Sequence, residues 1–290
     1  MTYLLELLSS GLAIGAVYGL IAMSFAIIYK STGLLNFSQG EMSMIIAYVA
    51  WSISTGTDGN PFIVAIGSIG FAILFALAVE RIAIRPMMGE PILSQIMVTI
   101  GLSVIFRALV TLLWDGLPHN MELAAGNALV DFGGIQVRVA QIAVVVMLFV
   151  AIAGMWAFFR YSRFGLAMRA VASDDGTAQL MGVKTGRVQM AAWAASAVMS
   201  GTAGVLFAIA FELSPSLYGL GLKAFPATIL GGLDSVIGSA FGGLIIGVAE
   251  NLVGGYISSS LKEIAGFVII ILILMIRPYG LFGEKRIERL

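Results

Sequence analysis

Four polar residues follow one another within an apolar region near the start of the chain: Asn36, Ser38, Gln39 and Glu41. Gly33 and Gly40 bracket the first three of them in the stretch STGLLNFSQGE, which lies between two apolar runs. Irregular backbone at membrane depth persists only where protein buries it or where it lines a wet cavity. The pattern predicts that this turn lines a route for a polar solute. The alternatives are a surface loop between short helices and, for Glu41, an anion that caps a helix start.

Charged residues also lie inside apolar runs, namely Glu41, Arg107 and Glu250. A charge at the bilayer centre costs about 3 kcal/mol or more, so it usually faces a cavity or a partner. Glu250, beside Asn251, is expected either to line the solute route or to bind a neighbouring helix, and both readings stay open. A second interrupted stretch, 223–243, contains a proline, a glycine pair and an aspartate. Paired discontinuous helices are typical of a transport pathway.

The sequence lacks the motifs of enzyme active sites. It has no G-x-x-x-x-G-K-[ST] loop to hold ATP phosphates, no cysteine, and a single histidine, His119. Disulfides, thiolate metal sites and histidine metal clusters are therefore excluded. We expect a protein that is not an enzyme, that needs no metal or cofactor, and that leaves any ATP hydrolysis to a separate subunit.

The composition is that of a membrane protein. The 290 residues are 59% hydrophobic and only 11% charged, and the mean hydropathy is +1.00. A soluble domain carries about 25% charged residues, so too little polar surface is present to cover a globule in water. A formal net charge of zero argues against a nucleic-acid partner.

Eight runs are long and apolar enough, or nearly so, to form the roughly 20-residue helix that crosses a bilayer. They cover residues 7–29, 42–57, 59–79, 91–114, 139–159, 188–211, 235–256 and 258–276. The chain is therefore predicted to be an all-α polytopic membrane protein with about eight transmembrane helices, some broken or re-entrant. Residues 1–290 form one transmembrane domain. The first run lacks the basic start of a signal peptide and is expected to be retained.

Loop charges predict the orientation of the chain, because positively charged loops stay in the cytoplasm. Residues 160–187 carry five basic side chains, and the tail after residue 276 is also basic. The loop 115–138 is acidic and should face outward. An odd number of crossings is then needed after residue 211, but only two runs are found there. Either 223–235 or 235–256 is therefore expected to be re-entrant or broken.

Glycines recur every four residues on two of the predicted helices. Gly11, Gly15 and Gly19 share one stripe of the first helix, and Gly238 and Gly242 share a stripe near the end of the chain. Small residues at this spacing let two membrane helices approach closely. We expect these glycines to serve helix packing.

The stretch 163–182 (RFGLAMRAVASDDGTAQLMG) is predicted to form two short cytoplasmic helices. Asp174, with Ser173, gives an N-cap signature for the second helix. A charged, partly apolar helix pair is suited to docking in the groove of a partner protein. The alternative is an interfacial helix that rests on the bilayer.

At these residues the chain resembles the permeases of branched-chain amino-acid ATP-binding-cassette importers. Four blocks carry the resemblance: 33–48 (GLLNFSQGEMSMIIAY), 80–89 (ERIAIRPMMG), 165–182, and 221–250 with RPYGLFG at 277–283. Many relatives read N-F-A-H-G-E where this chain has residues 36–41, NFSQGE. That departure bears on the solute, and related subfamilies handle urea, short amides and other amino acids.

The resemblance implies a permease of the bacterial inner membrane that forms half of a two-permease core. The implied partners are a second homologous permease, two cytoplasmic ATPase subunits and an extracytoplasmic solute-binding protein. Within 160–187, the residues expected to couple the permease to the ATPase are Arg163, Gly165, Arg169, Asp174, Leu180, Met181 and Gly182. An ion-driven secondary transporter is the less favoured alternative, since it would need a carboxylate relay for which only Glu41 and Glu250 are available. A channel, the third possibility, would need no coupling segment.

Overall fold

The structure is a computed structural model that describes residues 2–121, 128–131 and 136–283. The helices before the loop 115–138 are α1 (Thr2–Thr32), α2 (Gln39–Gly56), α3 (Pro61–Val79) and α4 (Ile92–Trp114). A small hairpin of β1 (Leu129–Asp131) and β2 (Gln136–Arg138) follows, in antiparallel register with Val130 opposite Val137. The later helices are α5 (Val139–Tyr161), α6 (Arg163–Ser173), α7 (Asp175–Leu180), α8 (Thr185–Ala210), α9 (Gly219–Gly231), α10 (Val236–Tyr256) and α11 (Ser259–Ile276).

Each of the eight predicted runs lies on a helix. Seven helices in the described part of the chain are long and apolar enough to cross a membrane: α1, α3 with its extension to Met87, α4, α5, α8, α10 and α11. The run 42–57 corresponds to α2. The chain is therefore an all-α, multi-pass membrane protein, as the sequence predicts.

Helix α1 is the centre of the bundle. In its 18-residue apolar stretch, 89% of the residues are buried, and the helix packs against α10, α8, α9 and α5. The stripe Gly11, Gly15 and Gly19 faces α10, where a Cβ added at Gly15 would lie 2.9 Å from the Cα of Leu244. Gly238 and Gly242 face α9 instead, against the backbones of Gly231 and Ala227. Both stripes thus lie where two backbones touch.

The bundle has two chemically different ends. The basic end contains α6, α7 and the start of α8, and there Lys30 Nζ donates to the carbonyl oxygen of Asp234 at 3.1 Å. At the opposite end His119 and Leu213 exchange backbone hydrogen bonds of 2.7 and 3.1 Å. These contacts show at which end of the bundle the helices beside them begin or end.

The segment between α8 and α10 is a broken crossing. After Leu213 at the opposite end, a 3₁₀ turn (Pro215–Tyr218) leads into α9, which ends near Asp234 at the basic end. Helix α9 has 13 residues and is about 20 Å long, shorter than the hydrocarbon core of about 30 Å. Residues 223–235 thus hold the end of the broken crossing, and 235–256 falls on the continuous α10. Counted together with α10 and α11, this broken crossing gives an odd number of crossings after residue 211, as the loop charges require.

Candidate functional site

The turn before α2 is held by the side chain of Asn36. Its Oδ1 accepts from the Ser38 backbone N–H at 3.1 Å and from Ser38 Oγ at 2.7 Å. Its Nδ2 donates to Gln39 Oε1 at 2.9 Å. Asn36, Ser38 and Gln39 are fully buried, and Gly33 begins the turn with φ +69°, a conformation that glycine adopts without steric cost. The predicted polar turn is therefore a closed hydrogen-bond network inside the bundle.

Helix α2 begins at membrane depth. Gln39 Nε2 donates to Ser196 Oγ at 3.0 Å, and Ser196 lies about 16 Å along α8 from its first residue. The Phe37 backbone N–H donates to Thr99 Oγ1 at 3.3 Å, and Thr99 lies about 10 Å along α4. The polar turn is therefore well inside the bundle, where buried polar groups must be paired within the protein.

Glu41, in the first turn of α2, forms an ion pair with α4. Arg107 Nε lies 3.1 Å from Glu41 Oε1, and the guanidinium also stacks on Tyr218, with Cζ 4.5 Å from the ring centroid. Arg107 Nη2 donates to Ser103 Oγ at 3.3 Å. The Glu41 side chain is 6% exposed and that of Arg107 is 43% exposed. The pair joins α2, α4 and the 3₁₀ turn before α9.

The exposure of Arg107 indicates what surrounds the face of α4 that carries it. Arg107 lies about 10 Å from the end of α4. An arginine that faces lipid near the centre of a helix costs about 2.5–3.5 kcal/mol on insertion scales. The ion pair and the ring contact fix the guanidinium inside the bundle rather than letting it reach the bilayer surface. We therefore expect this face of α4 to border water or another protein subunit rather than lipid.

The starts of α2 and α9 meet beside this pair. A Cβ added at Gly40 would lie 3.0 Å from the Cα of Gly221 and would collide with the carbonyl oxygen of Tyr218. Phe37 and Phe225 pack with ring centroids 5.8 Å apart. The two interrupted stretches of the sequence are thus in direct contact, and the N-termini of two discontinuous helices point to one region.

Glu250 lies apart from this region, in the contact between α1 and α10. Its Oε2 accepts from Tyr18 Oη at 3.0 Å, and the residue is 2% exposed. Asn251 beside it bonds the carbonyl oxygen of Leu7 at 2.7 Å and accepts from Lys262 Nζ at 3.0 Å. Of the two readings left open by the sequence, this geometry favours the hydrogen bond between helices over a place on the solute route.

At the basic end, α6 and α7 form the predicted helix pair. Ser162 caps α6 by accepting from the Gly165 N–H at 2.8 Å, and Asp174 caps α7 by accepting from the Thr177 N–H at 2.7 Å. The hydrogen bond from Thr177 holds the pKa of the Asp174 carboxyl below its ordinary value. Gly165 lies against the backbone of Phe158 and Phe159, where a Cβ would collide. A tight turn thus fixes α6 to the end of α5.

The helix pair presents apolar side chains on its outer side. Leu180 is 89% exposed and Met181 is 80% exposed, whereas Met168, Val171 and Ala178 are buried against the bundle. Gly182 follows with φ +86°. The buried three thus find their core within this chain, and only the outward-facing apolar side chains are available to a partner.

Two arginines of the same segment are exposed. These are Arg163 and Arg169. In the part of the chain that the structure describes, Arg169 forms no ion pair, because the Asp174 carboxylate caps α7 and Asp175 Oδ2 accepts from Gln179. The outer surface of the pair thus combines exposed apolar side chains with charges of both signs, since Asp174 and Asp175 are exposed as well.

Several residues at the polar turn were not identified as site residues from the sequence. Thr99, Ser196 and Tyr218 contact Phe37, Gln39 and Arg107 respectively. Arg107 itself was recognised as a charge inside a run, but its partner was not. Serines and threonines are common in membrane helices as packing residues, so only the long-range contacts single these out.

A multi-helix bundle in which two discontinuous helices meet is typical of membrane transport proteins. Residues 7–276 match the family described as "Branched-chain amino acid transport system / permease component". The chain belongs to this family.

Curated relatives match over nearly the whole chain. It is 33% identical to the high-affinity branched-chain amino acid transport system permease protein LivH of Salmonella typhimurium, over 99% of this chain and 98% of that protein. It is 30% identical to the permease protein BraD of Pseudomonas aeruginosa, over 98% and 97%. A solved structure of PsaBC from Streptococcus pneumoniae in complex with Fab aligns over 91% of this chain and 86% of that chain, with 16% identity and a TM-score of 0.48.

Proposed function

We propose that this chain is the membrane-spanning permease subunit of an ATP-driven importer for branched-chain amino acids. The observation that carries the proposal is the buried turn at 36–41, which brings polar groups to mid-depth in a bundle of the matching family. The solute passes along the face bordered by this turn and by the Glu41–Arg107 pair. The names of the relatives, all branched-chain amino-acid permeases among those cited, support the choice of solute.

The working complex contains more than this chain. A second homologous permease completes the pathway, and two ATPase subunits bind at the basic end, which faces the cytoplasm. A solute-binding protein delivers the amino acid from outside, and the complex resides in the bacterial inner membrane. The exposed Leu180 and Met181 support a docking role for α6 and α7. Burial of their apolar surface in a partner protein would contribute a favourable free energy of binding.

Uptake by substituted complexes tests the role of the turn. Gln39→Leu removes the donor to Ser196 and the acceptor for Asn36, which costs about 1–3 kcal/mol for each group left unpaired. We expect Gln39→Leu and Asn36→Leu to abolish leucine uptake in proteoliposomes while the subunits still co-purify. Gln141→Leu, at the start of α5, is the matched control and should transport normally. Normal uptake by both turn variants would reduce the turn to a structural cap.

The solute class is tested with the same preparation. Leucine, isoleucine and valine should be taken up in an ATP-dependent manner, and urea or a short amide should not compete with them. ATP-independent uptake driven by a proton or sodium gradient would contradict the proposed function.

A further inference from the structure

We propose that Arg107 binds the carboxylate of the amino acid as it passes through the membrane. This assignment rests on the proposed function and names a residue that recognises its solute. It starts from the half-exposed guanidinium on α4, which is held at membrane depth by Glu41 and Tyr218.

The guanidinium has donors to spare. Arginine carries five N–H donors in a fixed planar fork that matches a carboxylate with two parallel hydrogen bonds. Among the described residues, Nε is engaged by Glu41 Oε1 at 3.1 Å and Nη2 bonds Ser103 Oγ at 3.3 Å. These two contacts anchor the fork from the side of the bundle and leave the other N–H groups for a ligand on the exposed side.

The surroundings of Arg107 suit a zwitterion. An amino acid carries a carboxylate and an ammonium group a few ångströms apart. The exposed guanidinium of Arg107 offers the charge for the carboxylate, and the buried Glu41 carboxylate beside it keeps the site close to neutral overall. The Tyr218 ring stacks on the guanidinium and holds it in place. Binding a zwitterion leaves the local charge balanced, whereas binding a free anion or cation would not. An uncharged solute such as urea would use neither charge.

The side of α4 that carries Arg107 is distinguishable from the side that faces lipid. At 3.6 residues per turn, Val104 lies about 60° and Ile105 about 160° around the helix from Arg107. Their exposures are alike, 58% for Val104 and 54% for Ile105. The two positions therefore form a matched pair in which only the direction differs.

Cysteine labelling tests whether the Arg107 side is wet, because the natural chain contains no cysteine. In proteoliposomes that contain the whole complex, Val104→Cys should react with a water-soluble maleimide and Ile105→Cys should not. Addition of leucine-loaded binding protein and ATP should slow the reaction at position 104 at least threefold. Equal labelling of both positions, or no labelling at 104, would overturn the assignment.

Substitution of the pair separates recognition from structure. Arg107→Lys keeps the charge and loses the fork, and it should lower leucine uptake at least tenfold in a complex that still assembles. The double variant Glu41→Gln with Arg107→Gln leaves no unpaired charge, and it should assemble without transporting. Thr111→Val, one turn further along α4, removes a hydroxyl bonded to the Arg107 carbonyl oxygen and should transport normally.

Each contrary result has one meaning. Wild-type uptake by the double variant would overturn the role assigned to Arg107 and leave the proposed function standing. A double variant that fails to assemble, together with normal transport by Arg107→Lys, would mark the pair as a structural link and also overturn the assignment. A wild-type complex that imports no amino acid would overturn the proposed function and this assignment with it.

Discussion

The Cα of Gly221 lies 3.0 Å from the point where a side chain on Gly40 would begin. The starts of α2 and α9 are thus in backbone contact, and neither position has room for a Cβ. Both are helix starts, whose positive ends repel rather than pair with each other, and the Glu41 carboxylate in the first turn of α2 supplies the negative charge beside them.

Gly40→Ala should therefore separate the two helix starts. Overpacking of this kind costs about 1–3 kcal/mol. We expect a lower thermal unfolding midpoint in detergent and at least a tenfold loss of leucine uptake. Gly70→Ala in α3 is the control, because a Cβ there meets no atom within 4 Å and alanine favours the helix. A Gly40→Ala variant as stable and active as the Gly70→Ala control would contradict the backbone contact.

Tyr18→Phe should destabilise the contact between α1 and α10. It leaves the Glu250 carboxylate without its hydroxyl donor, at a cost of about 1–3 kcal/mol. Tyr3→Phe is the matched control, since the Tyr3 hydroxyl also links α1 to α10, through the Gly255 carbonyl oxygen, but is exposed to solvent. Thermal unfolding of the two variants measures the difference. Equal midpoints would show that Glu250 does not depend on Tyr18.

Substitution of both Leu180 and Met181 by Asp should release the ATPase. Burial of each side chain in a partner groove contributes roughly 1.5–3 kcal/mol, and a carboxylate in the same place would be desolvated without a partner. Co-purification and solute-stimulated ATP hydrolysis are the measurements. The exchange Leu180→Met with Met181→Leu conserves volume and should retain both. Retention of both by the double Asp variant would mark α7 as a membrane-surface helix.

Cysteines at Asp175 and Asn120 should react from opposite sides of the membrane. Asp175 lies in α7 at the basic end, and Asn120 lies beside His119 at the opposite end. In intact cells an impermeant thiol reagent should label only Asn120→Cys, and Asp175→Cys should react after the membrane is opened. Outside labelling of both would refute the orientation predicted from the loop charges.

The sequence predicts the helices of this protein well because lipid demands long apolar runs, and such runs are local features. It also identifies Asp174 as a cap, since a cap depends on residues within one turn. The sequence alone does not decide which of the segments 223–235 and 235–256 is broken. Helix α9 is too short to register as a crossing. Gly40, which touches its start, and Lys30, which bonds Asp234 just after its end, are both distant from it in sequence.

The candidate site was predicted only in part for the same reason. The polar turn 36–41 was visible as a cluster of polar residues between glycines. Its partner Ser196 is 157 residues away from Gln39, and a single sequence holds no record of that contact. Glu41 and Arg107 were each noted as costly charges, but nothing in their spacing shows that they pair.

The hydrogen bond between Tyr18 and Glu250 also has a consequence for biosynthesis. The two residues are 232 positions apart, so at about 5–20 residues per second the ribosome needs on the order of 10–50 s to make the second after the first. During that interval α1 enters the bilayer without α10, and its glycine stripe and the Tyr18 hydroxyl lack their final neighbours. Helix α1 is thus made early, but its packing against α10 forms only after most of the chain has been synthesised.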